Sequence, residues 1–282
     1  MDNAIEVHGL RKSYGDYEAV RGIDFAVRRG EVFGLLGPNG AGKTTTVEIL
    51  EGYRARGEGD VAVLGFDPEQ RPRAMRERVG IVLQSTGIYR HVTVHEVLAH
   101  FGSLYPHPRE VDEVIALVGL TGKEDERARR LSGGQLRRLD LALALVGDPE
   151  LIFLDEPTTG FDPAARHAAW DTIRSLKALG KTVLLTTHYL DEAQELADRV
   201  AIIKDGRIIV EGSPSELGAA SGPYRIVFRN GDGSLVEHVT DDPTALLHEL
   251  TEQALAAGTR LEGLSVTRPT LEDVYLELTA DA

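Results

Sequence analysis

Apolar and polar positions change rhythm several times along the chain, and each rhythm predicts a different kind of element. Residues 4–30 alternate apolar with polar positions and carry turn signals at Gly15-Asp16 and Arg29-Gly30, the period-two pattern of short antiparallel strands. Val32-Phe33-Gly34-Leu35-Leu36 is a continuous apolar run, as a strand buried on both faces requires. It leads straight into a glycine-rich stretch, after which Thr45-Thr46-Val47-Glu48-Ile49-Leu50 opens a helix. Residues 59–65 and 79–84 predict further strands.

From residue 93 to about 147 the period becomes helical. Thr93 and Glu96 are spaced as a capping box, Val97, Phe101 and Leu104 follow at helical spacing, and Pro106 and Pro108 end the run. Val111, Val114, Ile115 and Val118 form a second stripe ended by Gly119, and Leu136, Leu139, Leu143 and Val146 form a third. A helical subdomain, about residues 86–147, is expected inside an α/β core. Strands at 151–154 and 182–186 then alternate with helices at 164–179 and 190–197, and a hairpin over Asp205-Gly206 joins strands at 200–203 and 208–211. Such alternation predicts a mainly parallel sheet covered on both faces. Residues 218–223 read as a small-residue linker. Beyond it, a hairpin (224–230 and 234–239), a helix (244–257), a strand (261–267) and a last helix (270–279) predict a small α+β domain. The expected division is 1–217 and 222–282.

Composition narrows the partners. The 282 residues include 42% apolar positions, enough for a sizeable core, and carry a net charge of −14. Nucleic-acid binding depends on a basic footprint, so an acidic chain disfavours that class and adsorption to anionic lipid alike. With no cysteine there is neither a disulfide nor a thiolate metal site. The N-terminal residues lack a signal peptide's apolar core, and no stretch reaches the ~18 apolar residues of a membrane span. The chain is expected to be cytosolic, and any work at a membrane needs another chain to supply the spans.

The candidate chemistry lies at the strand ends. Gly37-Pro38-Asn39-Gly40-Ala41-Gly42-Lys43-Thr44-Thr45 contains G-x-x-x-x-G-K-T between a strand and a helix, the arrangement of a phosphate-binding loop. Its glycines let backbone N–H groups converge on phosphate oxygens, and the helix N-terminus adds its positive end. Lys43 suits the β and γ phosphates of ATP, and the Thr44 hydroxyl suits Mg2+. Asp155 and Glu156 close a buried strand, where α/β sheets place ligands. Asp155 suits Mg2+ and Glu156 a general base. Leu131-Ser132-Gly133-Gly134-Gln135 offers backbone N–H groups ahead of a helix, with Ser132 as an N-cap.

These motifs, in this order, resemble the ATP-binding subunit of ATP-binding cassette (ABC) transporters over about residues 4–217. The resemblance implies a P-loop NTPase fold: a mainly parallel sheet, an antiparallel N-terminal β region, the inserted helical subdomain and the small C-terminal domain. It further implies that residues 131–135 act in trans, capping the nucleotide of a second subunit, a copy or a close homologue. Tyr14 matches the aromatic stacked on adenine. Gln84 matches the glutamine that touches Mg2+ and senses the membrane partner. Asp162 matches the aspartate coupling the two sites, although Phe161 stands where leucine usually precedes it. His188 matches the histidine on the γ phosphate. The terminal PTLEDVYLELT, residues 269–279, is similar to the tail of the drug, antibiotic and polysaccharide export branch, whose membrane permease is a separate chain. The expected protein is thus an ATPase at the cytoplasmic face of the membrane, held there by its permease. Rival readings are a soluble non-transport member of the family, an importer ATPase, and a small-molecule kinase, which would not need residues 131–135 or His188.

Overall fold

The computed structural model describes residues 2–82, 90–220, 222–230, 233–268 and 270–279. They form two compact units, residues 1–211 and 212–282. In chain order the first unit runs β1 (Asn3–Tyr14), β2 (Tyr17–Arg28), β3 (Val32–Leu36), α1 (Lys43–Leu50), β4 (Glu58–Val63), α2 (Arg73–Arg76), β5 (Val79–Val82), α3 (Val94–Gly102), α4 (Val111–Leu117) and α5 (Gly133–Leu145). It continues with β6 (Leu151–Asp155), α6 (Pro163–Ala178), β7 (Thr182–Thr187), α7 (Leu190–Leu196), β8 (Arg199–Lys204) and β9 (Arg207–Gly212).

The alternating N-terminal residues make two long strands rather than several short ones. β1 pairs antiparallel with both β2 and β4, and bulges break the register. The apolar runs make the second sheet, in the order β5-β6-β7-β3-β8-β9. From β5 to β8 every pairing is parallel.

This sheet lies between two cores because its central strands carry apolar residues on both faces. Phe33, Leu35, Leu151, Phe153 and Leu184 point to one face, where Val7, Leu10, Val20 and Ile23 of the antiparallel sheet and Val47 and Leu50 of α1 meet them. Their chain neighbours Val32, Ile152, Leu154, Val183 and Leu185 point to the other face. There they meet Leu98, Val114, Ile115, Leu139, Ala142, Leu145 and Ile173 of the helical layer. Each fully buried Leu, Ile or Phe adds roughly 1.5–3 kcal/mol relative to exposure. The predicted capping box at α3 is present, with Thr93 N–H donating to Glu96 at 2.8 Å and Glu96 N–H to Thr93 at 3.1 Å.

The second unit holds α8 (Pro214–Ala220), β10 (Tyr224–Arg229), β11 (Leu235–Thr240), α9 (Pro243–Ala256), β12 (Glu262–Thr267) and α10 (Leu271–Thr279). Its sheet has the order β11-β10-β12, antiparallel throughout. Ile226 and Phe228 bury one face of β10 against Leu246, Leu247 and Leu250 of α9. The stretch read as a linker is helical up to Ala220. Ser213 and Glu216 exchange reciprocal bonds at 3.2 Å ahead of Pro214 at the first helical position, a start signal the small-residue composition hides.

Candidate nucleotide site

The site is built where β6, β7 and β3 end side by side. Asp155 is level with Thr186, and Leu36 with Thr187. The phosphate loop leaves β3 at this edge. Gly37 fits there because a side chain cannot: a Cβ would stand 2.2 Å from the Ile203 carbonyl oxygen. Gly42, at φ 104° as the N-cap of α1, would put a Cβ 2.5 Å from the Ala19 carbonyl oxygen. The loop is folded around its own lysine. Lys43 Nζ donates to the carbonyl oxygens of Gly37 at 2.7 Å and Pro38 at 3.1 Å. Burial pulls the Lys43 ammonium below its ordinary range, and Glu156 and then Asp155 oppose that shift.

Thr186 organises the acidic pair, a role the sequence reading did not assign. Its hydroxyl donates to Asp155 Oδ1 at 2.5 Å and accepts the Glu156 N–H at 3.0 Å. Glu156 sits at φ 46°, in the left-handed region. Its Oε1 lies 3.9 Å from Lys43 Nζ and 3.3 Å from His188 Nδ1, and Thr159 donates to Oε2 at 3.2 Å. The imidazole nitrogen is buried and stands close to the carboxylate without a hydrogen bond to it. Arg137, from α5, reaches the same loop and donates to the backbone oxygens of Pro157 and Asp155 at 3.3 and 3.4 Å. The TT pair before His188 was the available sign of the role of Thr186; nothing local marks Arg137.

Lys43, Thr44, Thr45, Asn39, Gly40, Gly42 and Glu156 line a cavity of about 210 Å3 together with Tyr14 and Tyr17. Pro38 and Ala41 complete the loop, joined by a bond from Ala41 N–H to Pro38 O at 3.2 Å. Tyr14 is 40% exposed, with Arg54 and Lys12 over its ring at 5.1 and 5.7 Å. Tyr17, which the sequence reading passed over, donates its hydroxyl to Gly40 O at 3.1 Å.

Residues 131–135 lie elsewhere. Ser132, Gly134 and Gln135 line a second cavity, about 280 Å3, with Arg137, Phe161 and Ala165, and Lys43, Thr44 and Glu156 are absent from it. Ser132 caps α5 as expected, accepting the Gln135 N–H at 3.3 Å while its own N–H donates to Gln135 Oε1 at 2.9 Å. Gly133, the first residue of α5, has nothing within 4 Å of a built Cβ, and Leu131 packs on the helical core. Asp162 caps α6, accepting the Ala165 N–H at 2.8 Å. Gln84 lies outside the described residues.

A phosphate loop at the carboxyl edge of a parallel sheet, with an aspartate–glutamate pair at the end of β6, one strand removed from the loop's own β3, defines a P-loop nucleotide-binding ATPase fold. The family profile described as ABC transporter matches residues 20–159. The Nod factor export ATP-binding protein I of Sinorhizobium fredii is 41% identical, the alignment covering 99% of this chain and 86% of that protein. The daunorubicin resistance ATP-binding protein DrrA3 of Streptomyces coeruleorubidus is 39% identical over 99% of this chain and 97% of its own length. A solved ATP-binding cassette of an ABC transporter, in its ADP conformation, matches at TM-score 0.69 and 27% identity, covering 77% of this chain and 93% of that one. The chain belongs to the ABC transporter family, as an ATP-binding subunit.

Proposed function

We propose that the protein is the ATP-hydrolysing subunit of an exporter of a small molecule, of drug, antibiotic or polysaccharide type, whose permease is a separate chain. Two relatives named for Nod factor export and daunorubicin resistance support export. Among the described residues no helix is long and apolar enough to cross a membrane, so the spans come from the permease, which holds this subunit at the cytoplasmic face.

One observation carries the reading. Within one chain, the phosphate loop and the 131–135 loop line different cavities. The first holds the phosphate loop, Glu156 and Tyr14 but none of residues 131–135, so in this reading one chain cradles only part of the nucleotide's surroundings. A second subunit's Gly133 and Gly134, at the start of a 13-residue helix capped by Ser132, offer the N–H groups that would complete it.

In this reading Tyr14 stacks on adenine, and the loop N–H groups with Lys43 hold the phosphates. Lys43 exchanges its bonds to the Gly37 and Pro38 carbonyls for bonds to phosphate oxygens. Glu156 takes the proton of the water that attacks the γ-phosphorus, the new P–O bond forms as the β–γ bridge breaks, and ADP leaves with phosphate. His188 fixes the Glu156 carboxylate and meets the γ phosphate; Asp162 links the two sites. Gln84 reports to the permease.

Mg2+ fits the donors present. Such an ion keeps waters and substrate phosphates in its shell and needs only one or two protein oxygens. Asp155 keeps acceptor sites beyond the one Thr186 fills, and the Thr44 hydroxyl lines the cavity. When bound, the ion neutralises phosphate charge.

Glu156→Gln tests the whole. Turnover should fall about 100-fold or more. ATP should still bind, and light scattering should find a dimer with ATP and a monomer without it. A monomer at saturating ATP overturns the shared site. Export is tested by co-purification with the permease and ATP-dependent efflux from vesicles; uptake into the cytoplasmic compartment overturns it. We propose that the second domain serves subunit association or regulation.

A further inference from the structure

Glu192, on α7 four residues beyond His188, has a fully buried side chain, and the chemistry described above does not use it. Its Oε1 accepts two bonds from different elements. The Thr158 hydroxyl, in the loop between Glu156 and Asp162, donates at 2.8 Å, and Trp170 Nε1, on α6, donates at 3.1 Å. Thr158 and Trp170 are themselves buried. Its Oε2 is buried with no hydrogen-bond partner. The Thr187 hydroxyl, at the end of β7, is near enough to act on the carboxyl, and it accepts the Tyr189 N–H at 2.9 Å. One carboxyl therefore meets the loop that follows the acidic pair, the strand end that carries His188, and the helix that Asp162 caps.

We propose that Glu192 is a positioning residue that locks the 156–162 loop to the 186–189 strand end, so that Glu156, His188 and Asp162 move as one body when a nucleotide closes the site. The inference rests on the roles proposed above for those three residues.

The geometry calls for a neutral carboxylic acid. A buried carboxylate with one orphaned oxygen is expensive, and among the described residues no ion pair reaches Glu192. A proton on Oε2 removes the uncompensated charge and leaves Oε1 its two bonds. Burial pushes the carboxyl up, in the same sense; the Thr187, Thr158 and Trp170 donors oppose it, and Asp191 adds to it. A glutamine has the same shape and pattern, with an oxygen for Thr158 and Trp170.

The experiment is steady-state ATP hydrolysis by the full chain. Glu192→Gln should keep kcat within about threefold of the parent, whereas Glu192→Ala should lower it about tenfold or more with KM for ATP within about threefold. A parental kcat in Glu192→Ala overturns the proposal, and so does a Glu192→Gln as slow as the alanine variant, which would assign a charge instead. If Trp170 emission reports an unfolded alanine variant, Thr158→Val decides. It removes one donor, so kcat should fall several-fold at constant KM; an unchanged kcat overturns the proposal. Should Glu156→Gln retain parental turnover, the underlying site assignment fails, and that result is separate from any obtained at Glu192.

Discussion

Glu51 follows α1 at its C-terminus, is buried, and carries a carboxyl pushed up to about 8 by burial first, with Asp155 and Glu48 adding to it. The ordinary value is 4.5, so between 4.5 and about 8 the folded chain holds a proton that the unfolded chain has released. Stability must then fall as pH rises through that window and level off above it. At about 1.4 kcal/mol per pH unit, the loss by pH 7 is roughly 3 kcal/mol, and the whole window is worth roughly 4–5 kcal/mol. Glu51→Gln fixes the neutral form at the same shape. The two proteins should have similar stability near pH ~4.5 and diverge as pH rises, the glutamine variant being the more stable by roughly 3 kcal/mol near neutrality. Urea unfolding of the nucleotide-free chain, followed by Trp170 emission, measures this. The single tryptophan lies in the first unit, as Glu51 does. Taking the difference between the two proteins cancels the titrating groups that do not interact with Glu51. Parallel stability curves across the window would refute the reasoning.

Two further outcomes follow from the glycines. Gly37→Ala forces a Cβ to 2.2 Å from a backbone oxygen, so the loop or β8 must shift; urea midpoints should fall by about 1–3 kcal/mol, with ATP affinity lowered in a fluorescence titration. Gly133→Ala meets nothing within 4 Å, so the free chain should gain roughly 0.5–1 kcal/mol while ATP turnover falls, because the open space is where the other subunit's nucleotide would lie; unchanged turnover would count against a trans role for this loop.

The fold was legible where period and length agreed. The apolar run of β3 named itself as a doubly buried strand, β6 and β7 were legible as strands, and the helical stripes at 93–147 became α3, α4 and α5. Two readings needed tertiary information. The period-two pattern over residues 4–30 could not say whether bulges would break the strands or be absorbed, and they are absorbed within two 12-residue strands. Residues 218–220 are helical because a cap five residues earlier starts the turn, and small residues then propagate it. In the site, the motifs located Lys43, Asp155, Glu156 and His188 because each ends a strand or opens a helix. Tyr17, Arg137, Thr186 and Glu192 were invisible because they act through partners distant in sequence. Arg137 reaches Asp155 across 18 positions, and Thr186 reaches it across 31.

The backbone of Glu156 ties these two kinds of residue together. A non-glycine residue at φ 46° costs about 1–2 kcal/mol, and nothing in glutamate's side chain favours it, unlike asparagine or aspartate. The conformation persists because Thr186 holds the Glu156 N–H through both its hydroxyl, at 3.0 Å, and its carbonyl, at 3.2 Å. Turning the chain there aims the carboxylate back over Lys43 and His188 instead of along the direction of β6. Strain of this size survives where the surroundings over-determine the geometry. The surroundings here are β7 and the loop that Glu192 holds, so the carboxylate's aim depends on Thr186 and Glu192, which do not line the phosphate-loop cavity.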